Sequence, residues 1–381
     1  MPRLPPSLLI RASREDFLLP ILLKECRTLD SARNELRWLR ERALHDSQSP
    51  SRLTGWRTRL KSMCRQRSRG VPLQYILGDQ PFGDLEILCR RGVLIPRSDL
   101  TPFNREHRRL TRSSRPETES YTYQAAKLAL QEASKNESDS KAVQKTKSLR
   151  ILDLCTGTGC IALLLHALLA PHFDQLHVLG VDISPDAMSL ARQNLDHNLQ
   201  RGLLARRAST EISFHRADVL GQGGDLVPSV EEILPQYFPR LISPENGTVD
   251  AGCDVLVSNP PYISASDFRN GTTARSVRLF EPRLALVPDS SLNSKGERGR
   301  AEDVFYHHIL SLSCRVRAKI TVLECGDIKQ ARRVVDMHNK MSADGSEVEI
   351  WPSTEPDLAF YGFHPHDGSR CVIIRKHSNP T

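Results

Sequence analysis

Apolar residues in the first seventy positions recur at helical spacing. Ala32, Leu36, Leu39 and Ala43 fall four, three and four residues apart and form one stripe, with Arg33, Arg37, Arg40 and Glu41 on the opposite face. The spacing predicts a helix over 31–44 with Asp30 as its N-cap. Helices around 17–27 and 53–67, with 47–50 as a connector, complete a small bundle. From 71 to 97 the period shortens. Leu85-Glu-Ile-Leu88 and Val93-Leu-Ile95, punctuated by Gly78, Gly83 and Gly92, predict a β-hairpin. Residues 98–114 are polar, Arg-rich and aperiodic, and 134–148 hold almost no large apolar residue, so both read as loops or disorder. After Arg150, strand signals at 151–154, 178–182, 212–217 and 254–258 alternate with helical patterns at 160–169 and 185–199. More strand signals follow at 320–323, 348–351 and 371–374. Strands separated by helices predict βαβ units and a mostly parallel sheet covered on both faces.

A chain of 381 residues and 42.9 kDa exceeds what one hydrophobic core usually serves, so two domains are expected. Hydrophobic residues at 39%, charged residues at 26% and a mean hydropathy of -0.40 describe a globular chain. The best apolar stretch, 161–170, is too short to span a bilayer and is broken by His166, so no membrane role is expected. Fifty-three Lys and Arg against 45 Asp and Glu leave +8, compatible with a nucleic-acid or ribosome-associated partner. Much of the excess is local: Arg65, Arg67 and Arg69, then Arg105, Arg108, Arg109, Arg112 and Arg115, for which solvated loops are the plainer account. The 9 cysteines are scattered without a C-x-x-C pair, which supports neither a disulfide framework nor a metal site and suits a reducing compartment. Residues 1–14 carry Arg3, Arg11 and Arg14 with no acid before Glu15, which resembles a short mitochondrial presequence.

The chemistry gathers at predicted strand ends. Asp153-Leu-Cys155-Thr156-Gly157-Thr158-Gly159 joins an apolar strand to an apolar helix, the place where α/β sheets bind nucleotide-like ligands. Its D-x-C-x-G-x-G spacing looks like a class I methyltransferase loop rather than a pyrophosphate grip, although a tight turn without a ligand has the same residues. Asp182 ends the next strand, placed to accept hydrogen bonds from both ribose hydroxyls of an adenosine ligand; a helix-capping acid is the alternative. Ser184 and Pro185 suit the start of the following helix. Asp218, followed by Val219, recurs at the third strand end, where an adenine would lie or where a loop carboxylate would simply be solvated.

The sharpest signal is Asn259-Pro260-Pro261-Tyr262 directly after the strand at 254–258. An amide or aryl-amine nitrogen is a poor nucleophile because its lone pair is delocalised. The Asn259 side-chain oxygen and the Pro260 carbonyl can accept its two N–H bonds and aim the lone pair at a sulfonium methyl. Consecutive prolines fix the backbone and remove competing donors, and Tyr262 supplies a flat wall for a planar acceptor.

These residues, in this order, make the chain resemble the HemK/PrmC protein-(glutamine N5) methyltransferases, which modify the Gly-Gly-Gln loop of class I translation release factors. The resemblance begins at Asp30-Ser-Ala-Arg-Asn-Glu-Leu36 and continues through Pro72-Leu-Gln-Tyr-Ile-Leu-Gly78, Phe82-Gly83 and Val93-Leu-Ile-Pro-Arg97. Beyond the glycine loop and Asn259–Tyr262 it includes Phe280-Glu-Pro282, Ala285-Leu286 and Leu323-Glu-Cys-Gly326. It implies a Rossmann-like seven-stranded class I methyltransferase domain over 116–381, using S-adenosyl-L-methionine and no metal. A release-factor-docking helical domain over 1–70 and a β-hairpin linker over 71–97 precede it. The helical module accompanies bacterial-type and organellar members, which supports a mitochondrial, matrix location over a cytoplasmic one; a monomer is expected, with no direct nucleic-acid requirement. Asn-Pro-Pro-Tyr alone is shared with adenine-N6 methyltransferases of DNA and RNA, so base methylation is the rival in the same chemistry. A non-catalytic ribosome- or RNA-associated protein is the rival from another class.

One departure stands out. The family reads Ile-Pro-Arg-Pro-Glu-Thr-Glu without interruption, whereas here Ile95-Pro-Arg97 is separated from Pro116-Glu-Thr-Glu119 by the basic segment 98–115, and Arg97 and Arg115 both fit the arginine. An intron mistakenly translated in a gene model, with a lineage-specific loop as the alternative, accounts for it.

Overall fold

The structure, a computed structural model, describes residues 4–47, 55–96, 117–138, 147–222, 226–238, 241–242, 249–250, 252–289, 300–342, 345–352 and 370–376. The inserted segment 98–115, with its arginines, and most of the connector at 47–50 lie outside these residues.

Helices α1 (Pro6–Glu15), α2 (Leu19–Cys26), α3 (Leu29–Ser47) and α4 (Trp56–Ser68) pack around Ala12, Leu22, Leu23, Leu39 and Cys64. The stripe Ala32, Leu36, Leu39 and Ala43 is buried along α3 as its period requires. Asp30 is not the cap. The helix begins two residues earlier, at Leu29, the Thr28 hydroxyl accepts the Ser31 N–H at 3.3 Å, and Asp30 pairs with Arg33. The acid-poor stretch that resembles a presequence supplies α1, whose Ala12 is fully buried in the bundle. Arg67 is not a free surface cation: it grips the buried Glu35 with two hydrogen bonds, at 2.7 and 3.0 Å, and locks α4 to α3.

A short helix α5 (Leu73–Leu77) ends at Gly78, whose φ of +91° is open to glycine, and leads into β1 (Asp79–Phe82) and β2 (Leu85–Leu88), which pair antiparallel. The hairpin therefore closes one strand earlier than its apolar runs suggest. Leu85–Leu88 is its second strand, and Val93 and Ile95 are buried outside any strand. The outer edge of β2 pairs with side chains of α8 (Pro185–Gln200): Asn198 accepts the Glu86 N–H and donates to its carbonyl, and Asn194 accepts the Leu88 N–H at 2.7 Å.

The remaining elements run α6 (Glu117–Ser138), β3 (Ser148–Leu154), α7 (Cys160–Leu169), β4 (Gln175–Asp182), α8, α9 (Ala208–Glu211), β5 (Ile212–Arg216) and α10 (Val230–Tyr237). A two-stranded pair β6 (Leu241–Ile242) and β7 (Val249–Asp250) precedes β8 (Val255–Ser258), α11 (Ala265–Asn270), α12 (Arg275–Phe280), α13 (Val304–Arg315), β9 (Ile320–Cys325), α14 (Ile328–Met341), β10 (Glu347–Trp351) and β11 (Arg370–Arg375). The polar stretch at 134–148 is not wholly a loop: α6 carries on through Ser138 and β3 starts at Ser148.

Seven strands form one sheet in the order β10-β11-β9-β8-β3-β4-β5, with β11 antiparallel to its neighbours and the rest parallel. Strand alternation sorts the cores: Ile151 and Val178 face the layer of α6, α7 and α8, while Leu152 and Leu179 face that of α10, α13 and α14. The chain goes from β3 outward to β4 and β5, then returns to β8 on the other side of β3. That places a topological switch point, and the crevice that accompanies one, at the carboxyl ends of β3 and β8.

Candidate active site at the strand carboxyl ends

A cavity of about 380 Å³ opens there, within the range of small-molecule sites. Cys155, Gly157, Asp182, Asp218, Val219, Asn259 and Pro261 line it.

The glycine loop reaches the cavity through a left-handed backbone: φ is +58° at Cys155 and +55° at Gly157. Its two glycines do different work. A Cβ on Gly157 would meet nothing within 4 Å, whereas one on Gly159 would lie 2.7 Å from the Phe214 ring. Gly157 thus leaves room beside the cavity and Gly159 allows α7 to pack. Asp153, Thr156, Thr158 and Gly159 do not line the cavity; they shape the loop from behind. The buried Asp153 Oδ2 accepts the Thr156 hydroxyl at 2.5 Å and the Ala162 N–H at 3.2 Å, and burial pushes this carboxyl up to about 7. The Thr158 carbonyl accepts Asn194 Nδ2 at 2.9 Å, so one asparagine holds both the hairpin edge and the glycine loop.

Asp182 closes β4 with its carboxylate already oriented. Oδ2 accepts the Gly157 N–H at 3.0 Å and Oδ1 the Ser184 N–H at 2.9 Å, while Ser184 caps α8 through the Ala187 N–H. Burial raises the Asp182 pKa, and the backbone hydrogen bonds oppose that shift. A carboxylate has about four lone-pair sites, so it keeps acceptor capacity for the donors of a vicinal diol. Asp218 is held likewise, by the Leu220 and Gln222 N–H groups at 2.9 and 2.7 Å.

Asn259 follows β8. The Ser258 hydroxyl ties the strand end to the Leu154 carbonyl at 2.9 Å, and beyond the motif the Ile263 N–H bonds the Leu286 carbonyl at 2.9 Å. The Asn-Pro-Pro-Tyr segment is thus pinned at both ends. Asn259 borders both the main cavity and a small adjoining hollow formed with Leu94, Tyr262, Ile263, Ala285 and Leu286. Pro260 is buried, and Tyr262 stands in that hollow rather than in the main cavity.

Two walls have no place in strand-end reasoning. Val93 and Leu94 come from the chain after the hairpin, and Pro282, Leu284 and Ala285 from the turn after α12. They are joined where the Glu281 carboxylate accepts the Ile95 N–H at 3.4 Å and the Arg91 guanidinium lies 5.3 Å from the Phe280 ring centre. Both segments belong to motifs that carry the family resemblance, the signal that marks them in sequence.

The residues present fit an adenosyl ligand: open space beside Gly157, a diol acceptor in Asp182 and a second strand-end acid in Asp218, with Val219 and Phe305 as apolar walls. A methyltransferase-domain profile matches residues 145–219, which hold the glycine loop, Asp182 and Asp218. The fold and site therefore define an S-adenosylmethionine-dependent methyltransferase.

The mitochondrial MRF1 N(5)-glutamine methyltransferase MTQ1 of Saccharomyces cerevisiae is 34% identical over 295 residues, 75% of this chain and 68% of that one. A probable MRF1 mitochondrial N(5)-glutamine methyltransferase of Schizosaccharomyces pombe is 33% identical over 63% of this chain and 59% of its own length. The release factor glutamine methyltransferase of Chlorobaculum tepidum is 32% identical over 60% of this chain and 56% of its own. The chain belongs to the release factor N(5)-glutamine methyltransferase family.

Proposed function

We propose that the protein transfers the methyl group of S-adenosylmethionine to the side-chain amide nitrogen of the glutamine in the Gly-Gly-Gln motif of a mitochondrial class I release factor. The observation that carries this reading is Asn259, which borders both the cofactor-sized cavity and the hollow where Tyr262 stands. An amide nitrogen placed between them presents its two N–H groups to Asn259 Oδ1 and the Pro260 carbonyl, while its plane lies along the Tyr262 ring. The cofactor, when bound, supplies an electrophilic methyl on a sulfonium. Asn259 and Pro260 hold the N–H bonds that strengthen as the nitrogen gives up its delocalised lone pair, so the site favours the rehybridised acceptor over the resting amide. No strong base is needed before transfer, because the proton becomes acidic only once the methyl has arrived.

The bundle at 1–70 is the proposed docking module for the release factor; the relatives named as mitochondrial support placement in that organelle, and the matrix is the proposed compartment within it. Incubation with labelled cofactor and either a release factor or DNA tests the assignment. Label on the release-factor glutamine is expected, and label on DNA alone overturns the choice of substrate.

A further inference from the structure

Behind Tyr262 lies a buried carboxylate that no step above uses. Glu324, on β9, is fully buried; its Oε1 accepts the Tyr262 hydroxyl at 3.0 Å and its Oε2 the Thr118 hydroxyl at 2.9 Å. Thr118 sits in the first turn of α6, just past the inserted segment. Tyr121, three residues further on, adjoins the same carboxylate: burial first, then the Glu324 charge, raises its phenol well above the usual range. The Glu324 main-chain carbonyl accepts the Tyr306 hydroxyl at 2.7 Å, which fixes the strand beneath it. From the other side, a Cβ on Gly326 would lie 3.0 Å from Tyr262 Cδ2, and Gln330 bonds both the Gly326 N–H, at 2.8 Å, and the Tyr262 carbonyl, at 3.3 Å.

Burying a carboxylate is costly, and an apolar side chain of that size would fill the space without the cost. What an apolar residue lacks is the ability to hold two hydroxyls at fixed positions. One of the two belongs to the acceptor motif and the other to the helix beside it.

We propose that Glu324 is a positioning residue for methyl transfer: it sets the plane of the Tyr262 ring, against which the acceptor amide lies, and couples that ring to the start of α6. This rests on the reading that the acceptor amide is held at Asn259 and Tyr262. Gly326 completes the mount by lying close against the ring, and Gln330 ties the Gly326 and Tyr262 backbones together.

The test is a steady-state and calorimetric comparison of the full chain carrying Glu324→Leu, Glu324→Gln, Tyr262→Phe and Glu324→Leu with Tyr262→Phe, using labelled cofactor and a release factor. Glutamine keeps one acceptor and offers a donor to a hydroxyl that can turn to accept, so Glu324→Gln is expected to stay near the wild-type kcat. Glu324→Leu and Tyr262→Phe are each expected to lower kcat about tenfold with cofactor Kd unchanged, and the double variant to be no slower than the worse single one. If Glu324→Leu does not fold, Tyr262→Phe and Glu324→Gln decide. A wild-type kcat in Tyr262→Phe, a Glu324→Gln enzyme that loses as much as Tyr262→Phe, or a double variant whose losses multiply overturns the positioning role. A wild-type enzyme that leaves the release factor unlabelled overturns the substrate reading, and the role of Glu324 in it with it.

Discussion

Removing the Asp182 carboxylate tests the cofactor site most directly. In the folded chain its two oxygens accept the Gly157 and Ser184 N–H groups, at 3.0 and 2.9 Å, and the residue lines the cavity. Asp182→Ala deletes the ligand's charge-assisted acceptor, about 1.5–3 kcal/mol, which corresponds to roughly a 10- to 150-fold rise in Kd for S-adenosylmethionine. The backbone loses two acceptors as well, but the fold also sheds a carboxylate whose burial raises its pKa, so the stability loss should be smaller than two hydrogen bonds suggest. Asp182→Asn keeps the shape but removes the charge and one acceptor oxygen. Its single oxygen can serve only one of the two backbone N–H groups, and the amide NH2 then faces the other, donor to donor. Its Kd should therefore rise, but no more than that of the alanine variant, because the amide still offers a hydrogen-bonding group to a ribose hydroxyl that can turn to accept. Isothermal titration calorimetry on variants shown by circular dichroism to be folded gives the answer. Wild-type affinity in both variants would falsify the assignment of Asp182 to the ribose.

Asn259→Ala should leave cofactor Kd nearly unchanged and lower the methylation rate by about 100-fold or more, while Asn259→Asp, still an acceptor, keeps partial activity; wild-type rates in both would sink the acceptor mechanism. Asp153, with its pKa pushed up from 3.8 to about 7, favours the folded state when protonated, so its contribution is full below about pH 4 and is lost as pH rises through 7. Asp153→Asn should accordingly gain in Tm relative to wild type as pH rises from about 4 to about 7, and a difference that is flat with pH over that range refutes the argument. Asn194→Asp should destabilise by about 2–4 kcal/mol in denaturant titration, because a carboxylate can accept the Leu88 N–H but cannot donate to the Thr158 carbonyl. Sequencing the mature transcript across codons 97 to 116 settles the insertion: a message containing it excludes an intron mistakenly read as coding sequence and leaves the lineage-specific loop.

The methyltransferase domain was legible because three of its strands are apolar runs that lead into a chemical residue: β3 into the glycine loop, β4 into Asp182 and β8 into Asn259. Strand ends and site coincide in such a fold, so period and punctuation locate both. The hairpin was misread because apolar runs mark burial rather than pairing. Val93 and Ile95 are buried by tertiary contacts, while Asp79–Phe82, with Pro81 and an ion pair from Arg42 to Asp79, pairs as a strand without an apolar run. Asp30 failed as a cap because Thr28 offers a hydroxyl two residues earlier. The separation of Gly157 from Gly159, and of Asp182 from Asp153, was invisible for a different reason. Which member of a motif faces the ligand and which holds the loop depends on neighbours distant in sequence, here Phe214 and Ala162.

A two-stranded hairpin ordinarily leaves an open row of amides that invites another chain to add a strand. On β2 that row is filled by Asn194 and Asn198, each carrying a donor and an acceptor on one planar group. A leucine of similar size would seal the surface but leave the amides hungry, and an aspartate would answer only half of them. The pair therefore acts as a terminator of sheet growth, and its loss would expose a template for self-association as well as weaken the fold.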